Sequence, residues 1–243
     1  MFIDLILLFL FAGVPYYLVF EQKGILSKDK IFIVSGFIVL LGMLLSIITH
    51  HVISDFVIII ALIASLFSLY KTTKTTNLYK LTYYILFFNA PMLLLFETTG
   101  SLLYGFALLV SLLGVYRMAR YYEKNYGSAN YKSVTGITLV TPYAGLILTI
   151  YFTALALYPP FPNALFFLNA ILHAEVDVIW YITIITIFFG NFLIAARVMA
   201  QTVFGKPNPN VHYIDVNNKE KIIHGSIFVV LMILSIIAAG ELF

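Results

Sequence analysis

The chain contains 243 residues, of which 62% are hydrophobic and 10% are charged, and its mean hydropathy is +1.00. A soluble domain carries about 25% charged residues, so this composition excludes a soluble globular protein and indicates a polytopic membrane protein. The net charge of +3 gives no indication of nucleic-acid binding, and the absence of cysteine excludes disulfides, thiolate metal sites and cysteine nucleophiles.

Apolar runs separated by polar loops follow one another along the chain. Eight of them are predicted as membrane spans, at residues 2–20, 31–49, 56–70, 81–96, 101–116, 135–157, 176–204 and 222–242. The first run lacks a basic leading segment and a small-residue cleavage site, so we expect a first span rather than a signal peptide. The sequence predicts an all-α polytopic membrane protein with about eight full transmembrane helices plus one proline-broken or re-entrant segment.

Three prolines interrupt the chain between the sixth and seventh runs: Pro159, Pro160 and Pro162, in the sequence YPPFPN. Proline removes a backbone donor and clashes with the preceding helical turn, so the helix must end here. The apolar segment that follows, residues 161–173, is too short to cross ~30 Å of hydrocarbon as one straight helix. It can cross as a broken helix or enter and leave on one side, and broken helices in membranes point to an ion path.

The features of residues 134–208 follow a recognisable order. An apolar helix precedes the Pro-Pro-Phe-Pro break, and a short aromatic-rich segment leads to a helix that ends Arg-Val-Met-Ala-Gln-Thr-Val-Phe-Gly. This order resembles the C-terminal part of the antiporter-like subunits shared by respiratory complex I, membrane-bound hydrogenases and multi-subunit cation/proton antiporters. In that family an arginine is followed, eight residues later, by the glycine of an aromatic-Phe-Gly sequence, and Arg197 and Gly205 keep this spacing.

The resemblance implies a division of the chain into two parts. Residues 1–133 would form N-terminal membrane helices with about five spans, and residues 134–243 would form C-terminal antiporter-like helices with the broken segment at 159–174. Members of the family place a lysine or glutamate in the broken helix, and matching the prolines puts that position near Leu168 or Asn169. Neither side chain can hold a proton at physiological pH, so the family's central proton site is missing.

The function implied by the resemblance is that of an integral membrane subunit in a redox-driven complex that translocates protons or cations. Because the proton site is missing, we expect a structural or supporting subunit rather than an independent pump. The expected partners are other membrane subunits and lipid, in the cytoplasmic membrane, and not nucleic acid. We expect no catalytic, cofactor-binding or metal-binding residue, because quinone and electron-carrying groups would belong to partner subunits. Small residues of the seventh run are expected to support close assembly with partners: Gly190, Ala195, Ala196 and Ala200.

Three polar residues are candidates for an ion path or for contacts between helices: Glu97, Asn169 and Arg197. Glu97 lies either in a tight turn between the fourth and fifth runs or inside the membrane, where a carboxylate would indicate function. Asn169 either bonds a neighbouring helix or binds water in a chain. Arg197 either extends its long stem to the interface or pairs with an acid of a neighbouring helix or subunit.

Basic residues alternate between the loops. The first, third and fifth loops contain Lys23, Lys28, Lys30, Lys71, Lys74, Lys80, Arg117, Arg120, Lys124 and Lys132, and the second, fourth and sixth connections contain none. This pattern places the odd loops in the cytoplasm and the N-terminus outside. The last loop, which also contains lysines, is cytoplasmic if residues 161–173 re-enter and external if they cross. The charge pattern and the resemblance therefore conflict on this loop.

Two other functions remain open. A stand-alone small-solute transporter would be favoured by inverted repeats between spans one to four and five to eight, which the sequence does not display. A haem-binding membrane anchor would need facing histidines inside the bilayer. The histidines near span ends are His50, His51, His173 and His224, and they do not show that pattern.

Overall fold

The computed structural model describes residues 2–22, 24–49, 53–95, 98–172 and 178–242. Within these ranges the protein is 79% helical and contains no strand, which confirms the all-α class. The helices are α1 (Phe2–Leu10), α2 (Tyr17–Gln22), α3 (Lys28–Thr49), α4 (Asp55–Lys74), α5 (Leu78–Phe88), α6 (Ala90–Leu95), α7 (Thr98–Tyr126), α8 (Ile137–Val140), α9 (Pro142–Leu155), α10 (Pro162–Leu172), α11 (Val178–Thr202) and α12 (Asn218–Leu242).

Six helical segments of the described chain are long and apolar enough to cross a membrane. They are Lys28–Thr49, Asp55–Lys74, Leu78–Leu95, Leu102–Tyr126, Val178–Thr202 and Asn218–Leu242. A multi-pass membrane protein is therefore confirmed, whereas the predicted count of about eight full spans is not. The apolar window of α5 and α6 is 94% buried and that of α12 is 33% buried, so α5–α6 forms the centre of the bundle and α12 its outside.

The two predicted spans without a long helix, residues 2–20 and 135–157, are both interrupted in the structure. The first ends as α1 and resumes as α2 after a turn that contains Pro15. The second is divided at Thr141, whose φ of −128° and ψ of 81° are not helical, and Pro142 begins α9. Proline suits the first turn of a helix, where no backbone N–H is needed, and disrupts a helix interior. These two prolines, inside runs predicted as continuous, account for the difference.

One hydrophobic core extends from Leu7 to Ala238 and joins both halves of the chain. Within this core, α7 packs against α3, α5, α6, α9, α10 and α12. The small residues of α11 partly face this core: Ala195 is 1% exposed, and a Cβ on Gly190 would overlap the ring of Phe88. These two residues bring α11 close to the rest of its own chain, so they are not free to contact a partner as expected.

The loops that carry basic residues meet at one end of the bundle, termed here the basic end. Contacts that join neighbouring loops are the Glu21–Lys80 ion pair, the Leu78–Ala129 backbone bond and the Asn208–Thr135 backbone bond. The last loop, residues 203–217, therefore lies with the other basic loops, in agreement with the charge pattern.

Helices α9 and α10 together pass once through the bundle. The segment before α9 lies at the basic end, where the hydroxyl of Thr138 donates to the carbonyl of Val203 at 2.7 Å. α10 ends at the opposite end, where Asn169 contacts Glu241 in the last turn of α12. If residues 161–173 cross, the sequence predicts that the last loop lies on the opposite side from the other basic loops. This expectation does not hold, because residues 135–157 do not cross the bundle separately from the segment that follows them.

Candidate functional site

The middle of the bundle contains a central polar cluster formed by Asn89, Tyr104 and Asn191. The two amides exchange hydrogen bonds: Nδ2 of Asn191 donates to Oδ1 of Asn89 at 2.7 Å, and Nδ2 of Asn89 donates to Oδ1 of Asn191 at 3.1 Å. The hydroxyl of Tyr104 donates to Oδ1 of Asn89 at 2.8 Å. All three side chains are at most 2% exposed, and they come from the α5–α6 junction, α7 and α11. The cluster therefore fixes three elements at one buried point.

Local sequence explains why Asn89 can occupy this point. Asn89 directly follows the last residue of α5, and Pro91 comes two residues later, so the helical hydrogen-bond ladder is interrupted here. Nδ2 of Asn89 also donates to the carbonyl of Ile85 at 2.8 Å, which already accepts a hydrogen bond from the backbone N–H of Asn89 at 3.0 Å. Gly190 lets α11 approach closely enough for Asn191 to reach Asn89. We term the junction of α5 and α6 the inner break.

The chemistry of the central polar cluster is neutral. Amides do not titrate in a physiological range, and the hydrogen bonds of the cluster connect amides, a phenol and a backbone carbonyl. Such a group of side chains can position helices or orient water, but it has no base that exchanges protons with solvent. In a membrane interior, each such interhelical bond contributes about 0.6 kcal/mol on average.

A second interruption, the outer break, comprises residues 156–161 between α9 and α10. Pro159 and Pro160 lie here and are exposed, and Tyr158 is 64% exposed. Local turns satisfy part of the backbone: the N–H of Ala156 donates to Phe152 at 2.9 Å. No described residue donates a hydrogen bond to the carbonyl of Pro159 or Pro160. The outer break is therefore non-helical backbone on the outside of the bundle.

The depth of the outer break follows from its neighbours. Pro162, which begins α10, is buried, and Oδ1 of the next residue, Asn163, accepts a hydrogen bond from the Ser111 hydroxyl at 3.2 Å. Ser111 lies inside α7, six residues from Arg117. Since a helix rises about 1.5 Å per residue, the start of α10 lies about 9 Å further from the basic end than the turn of α7 that contains Arg117. The outer break therefore lies on the outside of the bundle but at the depth of its apolar helices.

A ladder of polar contacts joins α7, α9 and α12 near the basic end. Nη2 of Arg117 donates to both carboxylate oxygens of Glu220, at 3.0 and 2.9 Å. One turn further along α12, Nε2 of His224 lies 4.0 Å from Glu220. Nδ1 of His224 shares a 2.8 Å hydrogen bond with the hydroxyl of Tyr151. Charge-assisted hydrogen bonds between an arginine and a carboxylate are stronger than neutral ones, so this ladder fixes α12 against α7 and α9.

Arg197 lies near the basic end of α11 and contacts two other loops. Its Nε and Nη2 donate to the hydroxyl of Tyr131 at 2.9 and 2.6 Å, and Nη2 also donates to the carbonyl of Thr75. The guanidinium lies 5.7 Å from the centre of the Tyr131 ring, within cation–π distance. Among the described residues, the side chain is thus held by neutral groups of the protein.

The other predicted site residues lie apart from the central polar cluster. Nδ2 of Asn169 donates to Glu241 at 3.3 Å in an exposed contact between α10 and α12. Leu168, beside it, is 41% exposed. Glu97 lies outside the described residues, and so does His173. The structure therefore does not bring Glu97, Asn169 and Arg197 together in one described site.

Sequence reasoning missed the central polar cluster and one buried acid. Asn89 and Asn191 each stand alone in an apolar run, and a polar residue there is a signal in its own right. Asp4, in the first turn of α1, is 6% exposed and was hidden in a run predicted as a plain first span. Among the described residues, no group of three or more metal-ligating acids or histidines is close enough to hold a metal ion.

Comparisons with known proteins do not assign the chain to a family. Neither a protein-family model nor a curated protein sequence matches the chain.

Proposed function

We propose that this chain is an integral membrane subunit of a redox-driven complex that translocates protons or cations, with a membrane arm like that of an NADH dehydrogenase or a hydrogenase. The observation that carries the proposal is the exposed outer break, at Tyr158, Pro159 and Pro160. Non-helical backbone at membrane depth is tolerated only where protein or water satisfies its polar groups. A neighbouring subunit packed over the outer break would supply that cover, and lipid acyl chains cannot.

A supporting role, rather than independent pumping, is supported by the neutral chemistry of the central polar cluster. A pump needs a group that gains and loses a proton between two half-channels, and Asn89 and Asn191 are amides. The family carries a lysine or glutamate at the position that matches Leu168 or Asn169, and neither of these side chains titrates. Any charge that moves through this part of the complex would come from a partner subunit.

The features that carry the resemblance have a structural use in this chain. Arg197 ties α11 to Tyr131 and to the loop at Thr75. A Cβ on Gly205 would overlap the carbonyl of Gln201, so glycine is needed where the chain turns away from α11. Both residues hold the basic end together, which is the role expected of a subunit that fills or supports a membrane arm.

We further infer eight membrane crossings. The six long helices make six of them, and the interrupted pairs α1–α2 and α9–α10 would make one each. With this count, the basic end would face the cytoplasm according to the positive-inside rule, and the N-terminus would lie outside. Single cysteines placed at Lys132 and Lys206 and labelled from each side of sealed vesicles test this arrangement. Both positions are expected to be labelled from the same side, and labelling from opposite sides would contradict the arrangement.

The main experiment combines purification from native membranes with cross-linking. A photo-reactive residue at Tyr158 is expected to cross-link another membrane subunit, and redox-active subunits are expected to co-purify with the chain. The matched control is Ile63, a 65% exposed residue on the unbroken α4, where lipid contact is expected. A chain that purifies alone, with cross-links from position 158 only to lipid, would rule out the subunit role.

A stand-alone small-solute transporter is the second candidate, because interrupted helices often line transport sites. The interruptions at Pro15 and Pro91 and in the outer break are the observation that favours it. Uptake of a solute by the isolated chain in vesicles would support the transporter and count against the subunit role. A haem anchor remains a third candidate, and haem absorption bands in the purified chain would be its evidence.

A further inference from the structure

A cleft of about 120 Å³ opens between α9 and α12 near the basic end. Its outer walls are apolar and exposed on the outside of the bundle: Leu146 is 55% exposed and Phe228 is 38% exposed. Its floor is formed by Tyr151 and His224, which are buried and bond each other. The Tyr151 hydroxyl and Nδ1 of His224 are thus occupied with each other, whereas Nε2 of His224 is buried, has no hydrogen-bond partner among the described residues and lies 4.0 Å from Glu220. The walls of the cleft present an apolar surface to an occupant.

Gly225 opens the cleft on the α12 side. It lies seven residues into α12 from Asn218, or about 10 Å along the helix. That distance corresponds to the upper part of the hydrocarbon layer if α12 begins at the interface. No atom lies within 4 Å of the position where its Cβ would be, so the glycine leaves open space rather than a close helix contact. The space suits a flexible chain more than a bulky side chain held in one rotamer.

One ammonium group, that of Lys221, lies beside the mouth of the cleft. Nζ of Lys221 lies 5.7 Å from the ring centre of Tyr143, a residue that lines the cleft. Lys221 also pairs with Asp215 at 3.3 Å, but the Asp215 side chain is 68% exposed, and such exposed pairs contribute at most about 1 kcal/mol. A lipid phosphate near Lys221 can therefore compete with the Asp215 carboxylate for the ammonium group. Lysines close to the membrane surface attract anionic lipids.

We propose that this cleft is a binding site for one acidic phospholipid. Its phosphate contacts Lys221, and the upper part of one acyl chain lies over Gly225 between Leu146 and Phe228. The basic end supplies the charge complementarity, and the apolar walls supply the contact for the chain. This site does not depend on the proposed function, because it is built from α9 and α12 of the chain itself.

The test uses the purified full chain in bilayer discs of phosphatidylglycerol and phosphatidylcholine, followed by native mass spectrometry of retained lipid. The wild-type chain is expected to retain one phosphatidylglycerol in preference to phosphatidylcholine. Gly225→Leu fills the cleft without a steric clash and is expected to lose the bound lipid. Gly240→Leu is the matched control, because it lies on the same helix, also has no atom within 4 Å of its Cβ position, and lies outside the cleft.

A second pair of variants tests the headgroup contact without filling the cleft. Lys221→Gln is expected to lower phosphatidylglycerol retention about five-fold, as is usual for one surface lysine, and to leave phosphatidylcholine unaffected. Lys219→Gln, at an exposed position two residues earlier, should leave retention unchanged. Equal retention by the wild-type chain and Gly225→Leu, or no preference between the two lipids, would overturn the site. So would a cross-link from position 225 to a protein subunit in the native complex.

Discussion

The inner and outer breaks pose the same physical problem and answer it differently. At the inner break, the side chain of Asn89 bonds side chains from two other helices, so the interruption is enclosed inside the protein. At the outer break, Tyr158, Pro159 and Pro160 face away from the bundle. An interruption surrounded by helices recruits their polar groups and becomes a fixed point of the fold. An interruption on the outside depends on whatever covers that surface, so it carries information about partners.

The largest effect is expected at the inner break. Asn89→Leu leaves the amide of Asn191 and the hydroxyl of Tyr104 buried without their partner. The cost is expected to be about 2 kcal/mol in the free energy of unfolding, measured by denaturation in mixed detergent micelles. The double variant with Asn191→Leu should cost less than the sum of the single changes, since it removes both halves of one pair. Additive costs would show that the two amides do not support each other.

Arg197→Lys tests whether α11 is held at the basic end, by Arg197, as well as at its centre, by the central polar cluster. Lysine cannot reproduce the contacts of Nε and Nη2 with Tyr131 and Thr75, so we expect a loss of about 1–2 kcal/mol in the free energy of unfolding. Arg120→Lys is the control, because Arg120 is exposed. If both variants unfold like the wild-type chain, the contacts of Arg197 add nothing and α11 is held by the central polar cluster alone.

Asn163→Leu measures the cost of removing a buried amide at the start of α10, for comparison with Asn89 at the inner break. Asn163 is fully buried, and its Nδ2 has no hydrogen-bond partner among the described residues. Replacing it removes the contact with Ser111 but also removes an unpaired donor, so the net cost is expected to stay below about 1 kcal/mol. Unfolding under the conditions used for Asn89→Leu is the measurement. A cost as large as that of Asn89→Leu would indicate an ordered water or ion bound at this amide.

The smallest effect is expected at Asn169. Its exposed contact with Glu241 should contribute less than about 0.5 kcal/mol, so Asn169→Leu is expected to unfold like the wild-type chain. In the proposed complex, the ratio of protons moved to electrons transferred should also be unchanged, as measured by proton uptake in reconstituted vesicles. A clear fall in that ratio with unchanged subunit content would mean that this helix is an active channel.

Sequence patterns could indicate the outer break but not the inner one. The run YPPFPN contains three prolines within four residues, and that density alone ends a helix. Pro91 stands alone in an apolar run predicted as the continuous span 81–96, and a single proline is often accommodated in a membrane helix. Asn89 and Asn191 are 102 positions apart. No local pattern links them, so their pairing could not be predicted from one sequence.

Composition and hydropathy by themselves determined that this is a multi-pass helical membrane protein, because 10% charge cannot cover a soluble surface. The alternation of basic loops also anticipated that the charges gather at one end. Tertiary structure decided which helix is central, where the interrupted spans lie and what the polar residues contact. The reason is that burial and hydrogen bonding depend on which helices become neighbours. Hydropathy measures each segment against lipid, not against the other segments of its own chain.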